Sequence, residues 1–320
     1  MLGKMDCFGI TDIGRRRSTN EDQFLIADLN KSMRVYQTSL GLNHQARLFG
    51  NSQGKLLAVA DGLGGHEAGE RASQLVVDSV VTYVLNTLHW FFRLDAENDE
   101  NFRDELKAAL QHCQLMLQQD VEATPQRRGM GTTLTMAYVI WPKMFVVHVG
   151  DSRCYLLRDG KLKQITRDHT LAQLYKETHG DPPEGDIEAD EVTQGSNTLW
   201  NVISSTGDVV DPEVYLANLQ LGDTVLLCTD GLTKHVDRSR LIDLLESKHT
   251  AEAICQGLVD AANSEGGSDN ITVIVSRFCE GTGAAGADVA LAEVPADESQ
   301  DTRLRDTGEY VASDTQVAAK

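Results

Sequence analysis

The segment from Leu56 to Glu70 constrains the fold most, because it joins an apolar run to an acid, several glycines and a helix-like pattern. The run is short enough for a buried strand, and it ends at Asp61. Gly62 and the glycines after it allow the backbone to turn tightly and to approach a ligand closely. An Asp-Gly pair is also a common hairpin turn, so this segment alone leaves a turn and a functional site as alternatives.

The same arrangement recurs along the chain. Apolar, β-branched runs end near Asp151 and at Asp230, each beside a glycine, while Asp269 stands at the entrance of a further strand. If the sheets bring these strand ends together, several carboxylates share a small volume, where their repulsion is costly unless cations neutralise it. The proposed donors are all oxygen atoms, with the Gly62 carbonyl as a further candidate. Oxygen donors favour Mg²⁺ or Mn²⁺ over zinc.

A pair of such cations predicts phosphate chemistry. Two divalent ions can hold a bridging water, lower its pKa and clamp the oxygens of an in-line phosphoryl displacement. An arginine for the phosphate and a histidine for the leaving oxygen would complete a hydrolase. The adjacent arginines 15–17 either include a phosphate ligand or form a solvated turn. A cysteinyl-phosphate mechanism and a P-loop both lack a matching motif in the sequence.

Composition narrows the class of protein. The formal net charge of −19 argues against a general nucleic-acid binder and against attraction to an anionic membrane. The six cysteines form no C-x-x-C pair, which predicts buried, reduced thiols. With neither a signal peptide nor a bilayer-spanning apolar segment visible, we expect a soluble cytoplasmic protein. The sequence predicts one domain at 5–279, followed by an acidic disordered tail at 280–320.

Apolar periodicity indicates the main helices and one hairpin. Apolar residues keep helical spacing after His66 and again over 102–117, with a charged break at 95–101, which predicts an antiparallel helix pair lying on a sheet. Residues 30–54 have no clear period and indicate a long connection. The Asp159-Gly160 pair between two short apolar runs predicts a hairpin turn.

Seven short motifs occur in one order along the chain. They are Arg17 with Asn20-Glu21-Asp22, Ala60 to His66 with Gly69 to Ser73, Gly131-Thr132-Thr133, Val149 to Arg153, Asp168-His169-Thr170, Cys228 to Leu232, and Ser268 to Thr272. This series resembles the successive motifs of the metal-dependent serine/threonine protein phosphatases of type 2C, especially the bacterial ones. The resemblance implies an α+β fold, a four-layer α-β-β-α sandwich of two antiparallel β-sheets flanked by helix pairs. The metals would lie in a cleft at one end of the sandwich.

The resemblance also implies the metal ligands. Asp61 would bridge two Mn²⁺ or Mg²⁺ ions in the active site, and the Gly62 carbonyl would bind one of them. Asp230 and Asp269 would bind the other ion, while Asp22 would act through bound water. These roles are carried over from the family motifs that the five residues match.

Three further residues receive roles from the same resemblance. Arg17 would hold the substrate phosphate, and His66 would be the general acid that protonates the leaving seryl or threonyl oxygen. Asp151 resembles the ligand of a third, weaker ion. Arg15 and Arg16 are expected to face solvent.

The resulting hypothesis is a monomeric protein-serine/threonine phosphatase that acts on phosphorylated proteins and opposes a serine/threonine kinase. It would need neither nucleic acid nor membrane, and it would form no covalent enzyme intermediate. One alternative is a catalytically silent relative that binds phosphorylated partners as a regulatory module. Another keeps the chemistry but acts on a small phosphate ester. The presence of all the expected primary ligands speaks against the silent module.

Overall fold

The computed structural model describes residues 4–34, 47–87, 96–180, 198–207 and 209–279. The strands, numbered along the chain, are β1 (Lys4–Asp12), β2 (Asp22–Arg34), β3 (Arg47–Leu63), β4 (Gly131–Thr132), β5 (Leu134–Ile140), β6 (Lys143–Val149), β7 (Arg153–Arg158), β8 (Lys161–Gln164), β9 (Ile203–Ser204), β10 (Glu213–Asn218), β11 (Thr224–Cys228) and β12 (Ile271–Cys279). The helices are α1 (His66–Asn86), α2 (Ala96–Ala123), α3 (Leu171–His179), α4 (Asp230–Thr233), α5 (Arg238–Glu246) and α6 (Ala251–Ser264), and Pro125–Arg127 forms a 3-10 turn.

The strands form two antiparallel sheets. The order in the first sheet is β1-β12-β11-β7-β8, and the order in the second is β10-β6-β5-β3-β4-β9, with β2 paired along β3. Alternate residues of each strand point to opposite faces of its sheet. Leu57 and Val59 of β3 thereby join Leu227 of β11 and Ile274 of β12 in an apolar core. This core holds the two sheets face to face.

Helices cover the outer face of each sheet. Leu56 of β3, which points away from Leu57, packs with Val76 of α1 and Leu106 of α2. On the other sheet, the apolar residues of β11 and β12 pack with Leu241 of α5 and Leu258 of α6. The three apolar layers separate four layers of structure in the order α-β-β-α. The predicted fold class is therefore confirmed.

Two predicted boundaries are wrong. The charged segment 95–101 is not a break, because α2 already begins at Ala96. Acidic residues suit the first turn of a helix, where the helix dipole is positive. The predicted connection over 30–54 is wrong at both ends, because the pairing of β2 with β3 extends to Arg34 and Arg47 with a bulge after Asn30. Residues 35–46 and 88–95 lie outside the described residues.

The predicted hairpin at Asp159-Gly160 is confirmed. Arg158 pairs with Lys161, and the two residues between them both have positive φ angles, 48° for Asp159 and 73° for Gly160. Two consecutive left-handed residues match the twist of the flanking strands, which is why Asp-Gly is common in such turns.

All six cysteines are free thiols. Cys113, Cys154, Cys228 and Cys255 are buried, as expected, whereas Cys7 is half-buried and Cys279 is exposed. In the part of the chain that the structure describes, no helix has both the length and the apolar character needed to cross a bilayer. The predicted tail at 280–320 falls outside the described residues and stays a prediction.

Candidate functional site

Strands β2 and β3 place two of the predicted acids side by side. Asp22 and Asp61 are directly opposite each other in the β2–β3 pair. The Asp61 carbonyl accepts hydrogen bonds from Thr132 Oγ1 at 2.8 Å and from Thr133 N at 2.9 Å, and the Asp61 amide donates to Thr133 Oγ1 at 3.0 Å. The backbone of Asp61 is therefore fixed on both sides.

Gly62 is a glycine because another main-chain segment approaches it closely. A Cβ atom added at Gly62 would lie 2.2 Å from the carbonyl oxygen of Gly69 and 2.8 Å from that of Glu21. The Gly62 amide donates to the Glu21 carbonyl at 3.2 Å. The close approach joins the end of β3 to the first turns of α1 and holds the Gly62 backbone beside Asp61.

The other sheet contributes Asp230 and Asp269. Asp230 begins α4 directly after β11, and Asp269 precedes β12, the neighbour of β11. A Cβ atom at Gly231 would lie 1.9 Å from the carbonyl oxygen of Asn270, so only glycine lets α4 lie this close to the segment before β12. Lys234 Nζ lies 2.5 Å from Asp230 Oδ2 and 2.9 Å from Asp269 Oδ2.

Asp22 connects the two sheets. Its Oδ2 atom accepts hydrogen bonds from Thr229 Oγ1 at 2.9 Å and from Thr272 Oγ1 at 2.7 Å. Thr229 directly follows β11 and Thr272 lies in β12, so both belong to the other sheet. Within the described part of the chain, neither the buried Oδ1 atom of Asp22 nor the buried Oδ1 atom of Asp230 has a hydrogen-bond partner. Buried carboxylate oxygens without a donor are costly, so a ligand there would be stabilising.

One cavity of about 280 Å³ opens among these elements. The predicted site residues that line it are Arg17, Asp61, Gly62, Asp151, Asp230 and Asp269. Asp22 lies buried behind Asp61, and the main chain of His66 begins α1 just after the loop of Gly64 and Gly65 at the cavity. The side chain of His66 is outside the described part of the structure.

Mutual repulsion and burial dominate the electrostatics of the site. Burial raises the pKa of Asp61 well above its usual range, and the carboxylates of Asp22, Asp230 and Asp151 raise it further. Burial also raises the pKa of Asp22 to about 7, against the effect of its threonine donors. For Asp151, burial and the charge of Asp230 raise the pKa to about 7.

Two cations oppose this negative charge. The Arg17 guanidinium, whose side chain is 49% exposed, lies 2.7 Å from Asp269 Oδ1 through its Nη2 atom. Burial alone would raise the pKa of Asp269, but its bonds to Lys234 and Arg17 outweigh burial and bring the pKa below its usual range. Arg15 and Arg16 are exposed, as predicted. Arg17 is exposed as well, but among the three it is the arginine that lines the cavity.

The donor set suits a divalent cation. Asp22 and Asp151 are buried, and Asp61, Asp230 and Asp269 are half-buried. Among the described residues two of the carboxylate oxygens have no hydrogen-bond partner, and oxygen ligands are those that Mg²⁺ and Mn²⁺ prefer. Within the described residues, no three acidic, histidine or cysteine side chains converge closely enough to enclose one ion. Lys234 instead occupies the space between Asp230 and Asp269. The oxygen donors suit Mg²⁺ or Mn²⁺ in their chemistry.

The sequence reasoning missed several residues of the site. Lys234 could have been found, because it follows Asp230 by four residues at the start of a helix, a spacing that brings side chains together. Thr229 and Thr272 could not, because they reach Asp22 across 207 and 250 residues.

Comparison with known proteins gives relatives along most of the chain. The serine/threonine protein phosphatase PstP of Mycobacterium tuberculosis is 36% identical over 222 residues, which are 69% of this chain and 40% of PstP. The serine/threonine phosphatase stp of Listeria welshimeri is 33% identical over 222 residues, which are 69% of this chain and 83% of stp. The chain thus spans less than half of PstP but most of stp.

The solved structures that resemble this chain include further serine/threonine phosphatases. The serine/threonine phosphatase of S. agalactiae superposes with a TM-score of 0.66 at 25% identity, covering 86% of this chain and all of that one. The catalytic domain of PstP, solved in complex with two manganese ions, has a TM-score of 0.64 at 30% identity and covers 86% of this chain and 99% of that domain. Residues 41–273 match the family model described as protein phosphatase 2C. The predicted family is confirmed: the chain belongs to the protein phosphatase 2C family.

Proposed function

We propose that this protein hydrolyses phosphoserine and phosphothreonine in other proteins and that it requires two divalent cations, Mn²⁺ or Mg²⁺. The observation that carries the proposal is the meeting of Asp61, Asp230 and Asp269 at one cavity in a chain of the protein phosphatase 2C family. The two manganese ions in the PstP catalytic domain support the same reading for this site.

The carboxylates would bind the two cations in different combinations. Asp61 would bind both ions and the Gly62 carbonyl one of them, while Asp230 and Asp269 would bind the second and Asp22 would act through water. When bound, such a pair lowers the pKa of a water molecule and neutralises the oxygens of the phosphate. The contribution of the chain is to fix the Asp61 backbone through Thr133 and to bury the carboxylates away from bulk water.

Arg17 and His66 would complete the reaction. The guanidinium of Arg17 is half exposed at the cavity, where its fork can hold two phosphate oxygens. The main chain of His66 begins α1 beside the glycine loop, and because His66 matches the family motif we assign to it the protonation of the leaving oxygen. A second cavity, of about 370 Å³, shares Asp151 and Asp230 with the first and also contacts Asp168. Arg153, Lys176 and Lys234 also line this cavity, so the assignment of Asp151 to a third, weaker ion rests on the family motif that it matches.

The substrates follow from the chemistry and the relatives. PstP and stp are named as serine/threonine phosphatases, and we extend that substrate class to this chain. We further propose that it acts as a monomer in cytoplasmic signalling and reverses the action of a serine/threonine kinase.

The test is release of phosphate from a phosphothreonine peptide by wild-type protein and by Asp61→Asn, with and without Mn²⁺. We expect metal-dependent release by the wild type and a loss of about 100-fold or more in the variant, because Asp61 would bind both ions. Asp243→Asn, at an exposed position on α5, is the matched control and should keep full activity. Equal rates for wild type and Asp61→Asn would contradict the proposal. Faster turnover of small phosphate esters than of phosphopeptides would indicate that the substrate is a small phosphate ester rather than a protein.

A further inference from the structure

Lys234 lies where the second cation would have to bind. Its Nζ atom contacts one oxygen of Asp230 at 2.5 Å and one oxygen of Asp269 at 2.9 Å, and it also lines the cavity. The backbone holds Lys234 near Asp230, because the Lys234 amide donates to the Asp230 carbonyl at 2.9 Å. The charged end of the side chain, by contrast, is carried on a flexible four-carbon stem.

The oxygens of Asp269 are largely occupied. Its Oδ1 atom accepts from the Asn270 amide at 2.9 Å and pairs with Arg17 at 2.7 Å, while its Oδ2 atom pairs with Lys234. Asp230 keeps one buried oxygen, Oδ1, that has no hydrogen-bond partner among the residues that the structure describes. A metal ion shared by the two aspartates must therefore displace the ammonium group of Lys234 from both Oδ2 atoms.

The environment of Asp61 differs from this arrangement. Among the described residues Asp61 has no direct ion pair with a cation, the Arg17 guanidinium acts on it only through its charge, and its neighbours Asp22, Asp230 and Asp151 are acidic. A cation that binds between Asp61 and the Gly62 carbonyl displaces no directly paired positive group, whereas one that binds Asp230 and Asp269 must displace Lys234. The two metal subsites are unequal for this reason.

We propose that Lys234 is an internal counter-ion that competes with a divalent cation for Asp230 and Asp269, so that this subsite fills only at higher metal concentration than the subsite formed by Asp61 and the Gly62 carbonyl. The inference rests on the proposed metal binding by Asp61, Asp230 and Asp269. It assigns to Lys234 the role of setting the metal concentration at which the site becomes complete. Lys234 would leave the carboxylates when the second ion binds.

The experiment is calorimetric titration of the metal-free full chain with MnCl₂. The wild type should show a tight and a weak binding step. Lys234→Met, which keeps most of the length of the side chain and removes its charge, should strengthen the weak step by about ten-fold. Lys163→Met, at an exposed position on β8, makes the same change in net charge away from the cavity and should leave both steps unchanged. Lys234→Gln replaces the methionine variant if the latter does not fold without metal.

Thermal unfolding provides a second readout that does not depend on activity. Without metal, Lys234→Met should melt below the wild type, because Asp230 and Asp269 lose a counter-ion, and Mn²⁺ should raise its melting temperature by more than it raises that of the wild type. If the wild type binds Mn²⁺ and Lys234→Met binds it equally or more weakly, the proposed role of Lys234 is wrong, but the proposed metal site is still supported. If the wild type binds no Mn²⁺, the proposed function fails together with this inference.

Discussion

Thr133 shows how single side chains position the acids of this site. Its hydroxyl accepts a hydrogen bond from the Asp61 amide at 3.0 Å and lies 2.8 Å from the hydroxyl of Ser152, and both hydroxyl residues are fully buried. The Thr133 amide donates to the Asp61 carbonyl at 2.9 Å. Thr133 thus acts on the reaction through Asp61 rather than by contact with a substrate.

Thr133→Val should destabilise the fold and lower activity together. Valine keeps the shape of threonine but removes the acceptor for the Asp61 amide, at a cost of about 1–3 kcal/mol in the free energy of unfolding. Urea denaturation measures this change. Thr82→Val on the exposed face of α1 is the control and should stay within about 0.5 kcal/mol of the wild type. An unchanged unfolding free energy in Thr133→Val would show that this hydroxyl does not hold Asp61.

Arg17→Lys should impair turnover although it keeps the charge. A lysine cannot reproduce the two parallel donors of the guanidinium, so we expect kcat/KM for a phosphopeptide to fall by about 10-fold or more. The neighbouring Arg16 is exposed and does not line the cavity, so Arg16→Lys should behave as wild type. Steady-state kinetics compares the two variants. Equal kcat/KM values for Arg17→Lys and Arg16→Lys would show that another residue binds the phosphate.

The acids of the site could be predicted one by one, whereas their surroundings could not. Asp61, Asp230 and Asp269 each stand at the end of an apolar strand, and that pattern is visible in the sequence. The contact of Lys234 with Asp269 depends on the packing of α4 against the segment before β12, which local spacing does not specify.

At the scale of elements, the β7–β8 hairpin illustrates a turn set by two residues. Asp159 and Gly160 both adopt left-handed backbone angles between the paired residues Arg158 and Lys161. Aspartate and asparagine tolerate this region because their short polar side chains bond locally, and glycine enters it without strain.

Gly160→Ala should therefore weaken the fold. A Cβ atom at a φ of 73° is strained, and the expected loss in unfolding free energy is about 1 kcal/mol. Asp159→Asn is the matched control and should be nearly neutral, because asparagine suits the same backbone angles. Chemical denaturation of the two variants tests the turn. A neutral Gly160→Ala together with a destabilising Asp159→Asn would contradict this account of the turn.

Element types could be predicted better than element boundaries. The helix pair and the hairpin follow from apolar periodicity and turn chemistry, and the structure has both. The start of α2 and the long β2–β3 pairing could not be predicted, because the residues there are polar. Their backbone structure depends on a neighbouring strand or on helix continuation rather than on burial of an apolar face.

At the scale of the whole molecule, a buried histidine ties the stability of the sandwich to pH. His148 of β6 is fully buried, and its Nε2 atom lies 2.8 Å from the carbonyl oxygen of Arg167. Burial lowers the pKa of His148 to about 3, and the nearby His169 lowers it further while Glu213 opposes the change. The folded protein therefore holds this imidazole neutral.

The contribution of His148 to stability should disappear in acid. Below a pH of about 6.5 the unfolded chain protonates its histidine, but the folded chain does not until about pH 3, so the free energy of unfolding falls as the pH falls between these values. The raised pKa values of Asp22 and Asp151 have the opposite effect, because they make the free energy of unfolding rise as the pH falls. The quantity to measure is thus the difference between wild type and His148→Gln, in EDTA.

That difference should be larger at pH 8 than at pH 5, because only the wild type must exclude a proton from position 148. His249→Gln, at an exposed site, is the control and should follow the wild type across the range. Denaturant unfolding at several pH values measures the free energy of unfolding of the wild type and of the two variants. A difference that is constant between pH 5 and pH 8 would show that His148 takes up its proton in the folded state.

The most direct test of the proposed metal chemistry is a crystal structure of the full chain grown with Mn²⁺, with anomalous data collected at the manganese edge. We predict two peaks in the cavity, both bound by a carboxylate oxygen of Asp61, with Asp230 and Asp269 on one ion and the Lys234 ammonium displaced from them. Two ions held by other residues would contradict this account, as would a cavity without an anomalous peak beside Asp61 at saturating Mn²⁺.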